Sequence, residues 1–131
     1  MGEMLMDSET LRFFSGHSLA LPLYAALERQ VLDEIGEVRV KTQKTQISFY
    51  NKHFFACVSF LPVGNVEKRA HPYLTVSFGL GRRLNADRIA AVVEPYPHRW
   101  THHILISHTD EIDEELMTWL REASAFSAGK R

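Results

Sequence analysis

Apolar residues recur with a helical period near both ends of the chain. The first stripe predicts a helix over residues 19–35 and consists of Leu23, Leu27 and Val31. Pro22 fits the first turn of this helix, where no backbone donor is lost, and Gly36 suits the position just after its end. The second stripe predicts a helix that begins near Asp110 and consists of Ile112, Leu116, Trp119, Leu120 and Ala123. A short helical turn over residues 8–14 is expected to precede both helices.

Between the two helices the apolar period changes to two residues, which is typical of β-strands. The predicted strands cover residues 37–51 (as one irregular strand or two short ones), 54–61, 73–80 and 100–107. Residues 62–72 are rich in Pro, Gly, Asn and charges and predict a long exposed loop. Residues 86–92 predict a short helical turn before the last strand.

The order of helix, strands and helix predicts an α+β fold with two layers. A single antiparallel sheet of about four to five strands would cover the apolar stripes of an N-terminal and a C-terminal helix. The 131 residues suit a single domain, 1–131, with a core over residues 8–126 and loose ends at 1–7 and 127–131.

Composition and charge narrow the classes of function. Apolar residues make up 45% and charged residues 24%, which is ordinary for a soluble globular protein. The net charge of −1 provides no global basic field for nucleic acid or an anionic membrane. The single cysteine, Cys57, excludes an intramolecular disulfide and a Cys-rich zinc site. Neither a signal-peptide pattern nor an apolar run of about 20 residues is found, so we expect a cytoplasmic protein without membrane contact.

Four segments carry a resemblance to a known family. They are Lys44-Thr45-Gln46-Ile47-Ser48-Phe49, with a KT-x-I-x-F pattern, followed by Phe54-Phe55-Ala56, Arg99-Trp100-Thr101-His102-His103 and the helical segment 112–123. In this order they resemble the bacterial domain-of-unknown-function family numbered fifty-six fifty-five, over about residues 18–126. The resemblance implies a small α-β-α domain with a frataxin-like layout, and it implies no activity.

The last strand carries two adjacent histidines that alternation separates. His102 would share a face with Trp100 and with the apolar residues Ile104 and Ile106, while His103 would point to the opposite face. The apolar pair marks the first face as buried. We therefore expect His102 to be half-covered next to the indole ring.

A ligand pocket is the leading functional interpretation. If the strand with Lys44 lies near Trp100 and His102, an ammonium, an imidazole and an indole would converge. The basic pair Arg82-Arg83 would complete a site for a small anion or an aromatic carboxylate. In the alternative interpretation, the imidazole belongs to the edge of the core and the indole only packs.

Other chemistries find weaker support in the sequence. The histidines of the last strand lack the same-face spacing of a zinc site, and the acidic run 110–115 reads as the charged start of a helix. Cys57 lies in a strand and is expected to be a small buried residue. No nucleophile elbow or phosphate-binding glycine pattern occurs, so we expect no catalytic residue, metal or cofactor.

Two interaction hypotheses stay open beside the pocket. The domain would form a homodimer through a bare sheet face or an edge strand, as a protein-interaction module. Single-stranded nucleic acid would bind more weakly, on a surface formed by Arg39, Lys41, Lys44, Lys52, Tyr50 and His53.

Overall fold

A computed structural model of the chain describes residues 7–63 and 72–129. Three α-helices and six β-strands make up the described part. In chain order they are α1 (Ser8–Phe13), α2 (Leu21–Ile35), β1 (Arg39–Thr42), β2 (Ile47–Tyr50), β3 (Phe54–Ser59), β4 (Leu74–Leu80), β5 (Ile89–Tyr96), β6 (Arg99–Ile106) and α3 (Glu114–Ala128). Short 3₁₀ turns, Ser18–Ala20 and Thr109–Glu111, lead into α2 and α3. The predicted loop over residues 62–72 lies largely outside the described residues.

The strands form one antiparallel sheet in the order β1-β2-β3-β4-β6-β5. The α+β class with a single sheet is as predicted, but the sheet has six strands instead of four to five. Residues 37–51 contain two strands, and β5 occupies most of the segment that was predicted as a helical turn. This segment pairs with β6 because its β-branched Val92 and Val93 suit an extended backbone. As an edge strand, β5 also tolerates Pro95.

The two long helices follow the predicted stripes. In α2 the residues Leu23, Leu27 and Val31 are buried, and the helix ends at Gly36, whose φ of 92° suits glycine. The last helix begins later than predicted, because Asp113 caps it by accepting a hydrogen bond from Leu116 N at 3.0 Å. It also continues to Ala128, through the first residues of the predicted loose end. Among the described residues, no helix combines the length and apolar character needed to cross a membrane.

The two faces of the sheet differ in character. The residues that pack against the helices belong to one face, here called the helix face, where cross-strand neighbours form the buried row Ile47, Val58, Val76 and Ile104. One residue further along each strand, the opposite face presents a second row, Ser48, Cys57, Ser77 and His103. We call this opposite side the pocket face. Its polar row crosses four strands, and the candidate site is built on it.

Candidate functional site

A pocket of about 340 Å³ lies on the pocket face of the sheet. Its floor is formed by Cys57, Ser77 and His103, which neighbour each other on β3, β4 and β6. Alternation along each strand turns these three side chains away from the helices. The pocket lies over this floor and extends to Phe55, Phe78 and Leu80 of the hydrophobic core, which also line it.

The floor is hydrogen-bonded and electrically neutral. Ser77 Oγ lies 2.6 Å from His103 Nδ1, and Cys57 is the cross-strand neighbour of Ser77 on β3. Burial raises the pKa of the Cys57 thiol to about 11, so the thiol keeps its proton near neutral pH. Burial also lowers the pKa of His103, which favours the uncharged imidazole.

Polar contacts continue from the floor towards β2. Ser48, next to Cys57 across the strands, accepts a hydrogen bond from Gln46 Nε2 and donates one to Gln43 Oε1, both at 2.7 Å. Ser48 is almost completely buried, and its hydroxyl is satisfied by this pair of amides. Gln46 also lines the pocket. The hydroxyl of Ser48 therefore already forms its hydrogen bonds with protein side chains.

The rim of the pocket is aromatic and carries one cation. Tyr96 and Arg99 are cross-strand partners on either side of the β5–β6 turn, and both line the pocket with Trp100. Tyr96 is 66% exposed, and Phe54, at the other side, is 41% exposed. His98 supplies the turn between the strands with a positive φ of 64°. Arg99 therefore adds a cationic side chain to a part of the pocket that is otherwise lined by aromatic residues.

The end of α3 closes one side of the pocket. Phe126 lines the pocket, and its ring packs directly on Gly81, where an added Cβ would lie 2.8 Å from Phe126 Cε1. Asn51 ties this helix end to the β2–β3 turn by donating to Ser124 O and Oγ at 2.7 and 2.8 Å. Ser127 donates a further hydrogen bond to Phe54 O at 3.1 Å. The wall therefore depends on the contact between a helix terminus and a hairpin.

A known protein family matches most of this chain. Residues 12–127, which include the whole sheet and nearly all of α3, match the family described as Domain of unknown function (DUF5655). The chain belongs to this family. No curated protein and no solved structure matches it. The α-β-α layout implied by the resemblance is confirmed, while the frataxin-like kinship stays a prediction.

In this DUF5655 domain, His102 is a residue of the core. Its side chain is completely buried on the helix face, where the ring stacks on Phe78 at 5.2 Å. Leu84 N donates to His102 Nε2 at 3.0 Å, so the proton of the neutral ring is on Nδ1. That Nδ1 is the one buried side-chain polar atom without a partner among residues 7–63 and 72–129. Burial lowers the pKa of the ring, which fits a neutral packing residue.

The structure does not bring Lys44 to Trp100 and His102, so the pocket expected between them is absent. Lys44 lies in the β1–β2 turn, and β2 is separated from β6 by two intervening strands, a distance of about 14 Å across the sheet. Lys44 and Trp100 also lie towards opposite ends of the sheet. Ile47 and Ile104 are at the same level, and β2 and β6 run in opposite directions from it, so residues that precede each of them lie on opposite sides of that level. The expected convergence required β2 and β6 to be adjacent, and the strand order excludes this.

The basic pair lies outside the pocket as well. Arg82 is exposed and forms a bidentate ion pair with Glu122, with both nitrogen–oxygen distances at 2.8 Å. The Arg83 guanidinium lies 5.8 Å from the centre of the Trp100 ring. Of the five predicted site residues, Trp100 alone lines the pocket.

Sequence reasoning missed the two residues at the centre of the floor. Ser77 and His103 each follow a threonine by two residues, so each lies on a polar stripe with the period of a strand, which is a detectable signal. Their contact depends on the pairing of β4 with β6, which no local pattern specifies. The alternation of side chains along the strand therefore predicted the face on which His103 lies, but it did not predict that Ser77 is its cross-strand partner.

The basic surface considered for nucleic acid lies around β1. Arg39 and Lys41 are exposed on this edge strand. The Tyr50 ring lies 5.7 Å from the Arg39 guanidinium and 5.8 Å from the Phe54 ring, so part of its stacking surface already contacts protein. Nucleic-acid binding stays a prediction. In the described part of the chain, no three His, Cys, Asp or Glu side chains are grouped closely enough to hold a metal ion.

Proposed function

We propose that this DUF5655 domain binds a small aromatic carboxylate in the pocket on the pocket face. The observation that carries the proposal is the pocket's composition, a neutral hydrogen-bonding floor between aromatic walls with Arg99 at the rim. Ligand sites typically combine mainly apolar walls with a few placed polar groups. A volume of about 340 Å³ suits a molecule of one or two rings.

The geometry favours binding over acyl transfer, although Ser77 and His103 are as close as a nucleophile and its base. Ser77 lies in the middle of β4, with β3 on one side and β6 on the other. The backbone N–H groups around it are therefore engaged in the ladders of the sheet. They are not directed into the pocket, where they would be needed to stabilise an oxyanion.

Thermal-shift and titration experiments test this proposal with benzoate as the probe. Inorganic phosphate supplies charge without a ring, and benzyl alcohol supplies a ring without charge. We expect benzoate to raise the melting temperature more than either, because it uses both the aromatic walls and the guanidinium. Equal shifts from all three compounds, or no shift from benzoate, would overturn the proposal.

Matched variants locate the binding site. We expect Arg99→Ala to weaken benzoate binding about five-fold, which is the loss of roughly 1 kcal/mol of a partly exposed charged contact. Lys44→Ala is the control, since it removes an exposed cation from outside the pocket. A larger effect of Lys44→Ala than of Arg99→Ala would place the ligand elsewhere.

A second candidate, a homodimer formed through the sheet, is favoured by exposed apolar side chains on β5 and beside the pocket. Val93 and Tyr96 on the edge strand β5 are 51% and 66% exposed, and Leu61 is 48% exposed. A second copy of the chain would cover these side chains. Light scattering over a concentration series tests this. Dimerisation that is abolished by Val93→Glu, together with no benzoate shift, would favour the interface over the pocket.

A further inference from the structure

The pocket has a cation and an imidazole at two separate places along β6. Arg99, Thr101 and His103 are alternate residues of this strand, so they share the pocket face, and all three line the pocket. Four residues of strand separate the first from the last, which places the Cα atoms of Arg99 and His103 about 13 Å apart. A ligand that lies along β6 therefore meets a guanidinium at one end and an imidazole at the other.

The floor between these two ends is bare backbone. Thr101 is paired with Gly79 on β4, which lies two residues from Ser77 on the same face and lines the pocket. A Cβ added to Gly79 would have one described atom within 4 Å beyond the chain neighbours, Trp100 O at 3.9 Å. No side chain of the described residues covers this glycine. A ligand can therefore approach the strand closely here, with an aromatic ring against the backbone.

The guanidinium at the first end is not engaged by the protein. Among the described residues, the Arg99 side chain forms no hydrogen bond or ion pair. Arg88 and Arg121, in contrast, are each paired with a carboxylate. An unpaired guanidinium that lines a pocket can receive the carboxylate of a ligand through two parallel N–H groups.

The imidazole at the second end offers one open nitrogen to the pocket. His103 Nε2 has no hydrogen-bond partner among the described residues, and solvent reaches it, because the one buried side-chain polar atom without a partner there is His102 Nδ1. Either Ser77 Oγ or His103 Nδ1 is the donor across their 2.6 Å contact. In a neutral ring, Nε2 donates when Nδ1 accepts, and it accepts when Nδ1 donates. A hydroxyl group suits both cases, since it can donate and accept.

We propose that the ligand is an aromatic carboxylate with a hydroxyl group on the ring, opposite the chain that carries the carboxylate. The carboxylate lies at Arg99, the ring lies over Gly79, and the hydroxyl group lies at His103 Nε2. This inference rests on the proposed function, because it names the class of carboxylate that the same pocket binds. It makes Gly79 and His103 the residues that determine specificity, since one admits the ring and the other binds the hydroxyl group.

Calorimetric titration with three compounds of one shape tests the ligand class, at about pH 8, where the imidazole and a phenol are both neutral. The compounds are para-hydroxyphenylpropanoate, para-methylphenylpropanoate and phenylpropanoate. We expect the hydroxyl compound to bind about five-fold more tightly than the methyl compound, as for one neutral hydrogen bond. Equal affinity of these two would overturn the inference, and the proposed function would stand if phenylpropanoate and benzoate still bind. Failure of all the compounds to bind would overturn both.

Variants test where each part of the ligand lies. His103→Leu removes the ring nitrogens and should abolish the preference for the hydroxyl compound. Thr101→Val is the matched control, since it removes a hydroxyl group from the middle of the pocket and should keep that preference. Gly79→Ala should weaken the hydroxyl and methyl compounds alike, by about ten-fold, because its methyl group occupies the place of the ring.

Two results with these variants would overturn the placement of the ligand. One is a preference for the hydroxyl compound that persists in His103→Leu, and the other is unchanged affinity in Gly79→Ala. Amide NMR spectra of each variant establish that it is folded before its affinity is compared.

Discussion

At the scale of single residues, the two adjacent histidines of β6 have opposite surroundings. His102 is enclosed on the helix face between Phe78 and the backbone of Leu84. His103 faces the pocket and contacts Ser77. Because consecutive strand residues point to opposite faces, the sheet assigns one imidazole to stability and leaves the other available for binding.

Removing the buried imidazole should destabilise the fold. We expect His102→Ala to reduce the free energy of unfolding by about 3 kcal/mol, because it empties core volume and leaves Leu84 N–H without its acceptor. His102→Phe keeps a ring on Phe78 and should cost less. Urea denaturation measures both, with Arg82→Ala as an exposed neighbouring control worth less than about 1 kcal/mol. A loss in His102→Ala no larger than in the control would contradict this.

At the scale of elements, the pocket depends on how α3 ends. Phe126 reaches the pocket wall because Gly81, just after β4, has no side chain to displace the ring. The β2–β3 turn holds the same helix end through Asn51. The wall is thus a contact between three elements that are distant in sequence, and its position should respond to small changes at any of them.

Substituting Gly81 should shift this wall. We expect Gly81→Ala to cost about 1 kcal/mol of stability and to alter benzoate affinity, because its Cβ would lie 2.8 Å from Phe126 Cε1. The matched control for the change in stability is Gly79→Ala, whose Cβ would meet only Trp100 O at 3.9 Å. In a double-mutant cycle with Phe126→Ala, the steric cost of Gly81→Ala should disappear. Additive effects of the two substitutions would show that the ring is not what Gly81 accommodates.

At the scale of the whole molecule, neutral histidines make stability depend on pH. Burial lowers the pKa of His102 and of His103 below the ordinary value of 6.5. The unfolded chain therefore binds protons at these rings at a higher pH than the folded protein does. The contribution of the two neutral rings to the free energy of unfolding is fully present above about pH 6.5. It is lost as the pH falls from there towards the lowered pKa values of the folded protein.

The midpoint of urea unfolding should therefore decrease within the first pH unit below 6.5. His102→Phe removes one of the two groups and should make this decrease smaller. Carboxylates with lowered pKa, such as Asp113 beside Arg88, lose their contribution at lower pH, while the raised pKa of Glu28 acts in the opposite direction near 4.5. An unfolding midpoint that stays constant through the histidine range would contradict the assignment.

The sequence by itself determined the local features of this protein. Apolar periods of about four and of two residues specified α2, α3 and the faces of the strands, including the separation of His102 from His103. These features follow from residues close together in the chain, so they can be read without knowing the fold. The weak apolar pattern of β5 was misread as helical because its pairing with β6 decides its conformation.

Only the tertiary structure decided which strands are neighbours. The order β4-β6-β5 places His103 beside Ser77, and the position of β2 keeps Lys44 far from Trp100. Strand order and register arise from how the whole sheet packs under the helices, and alternation along one strand carries no information about its partners. The faces of the site were therefore accessible from the sequence, while the composition of the pocket was set by non-local pairing.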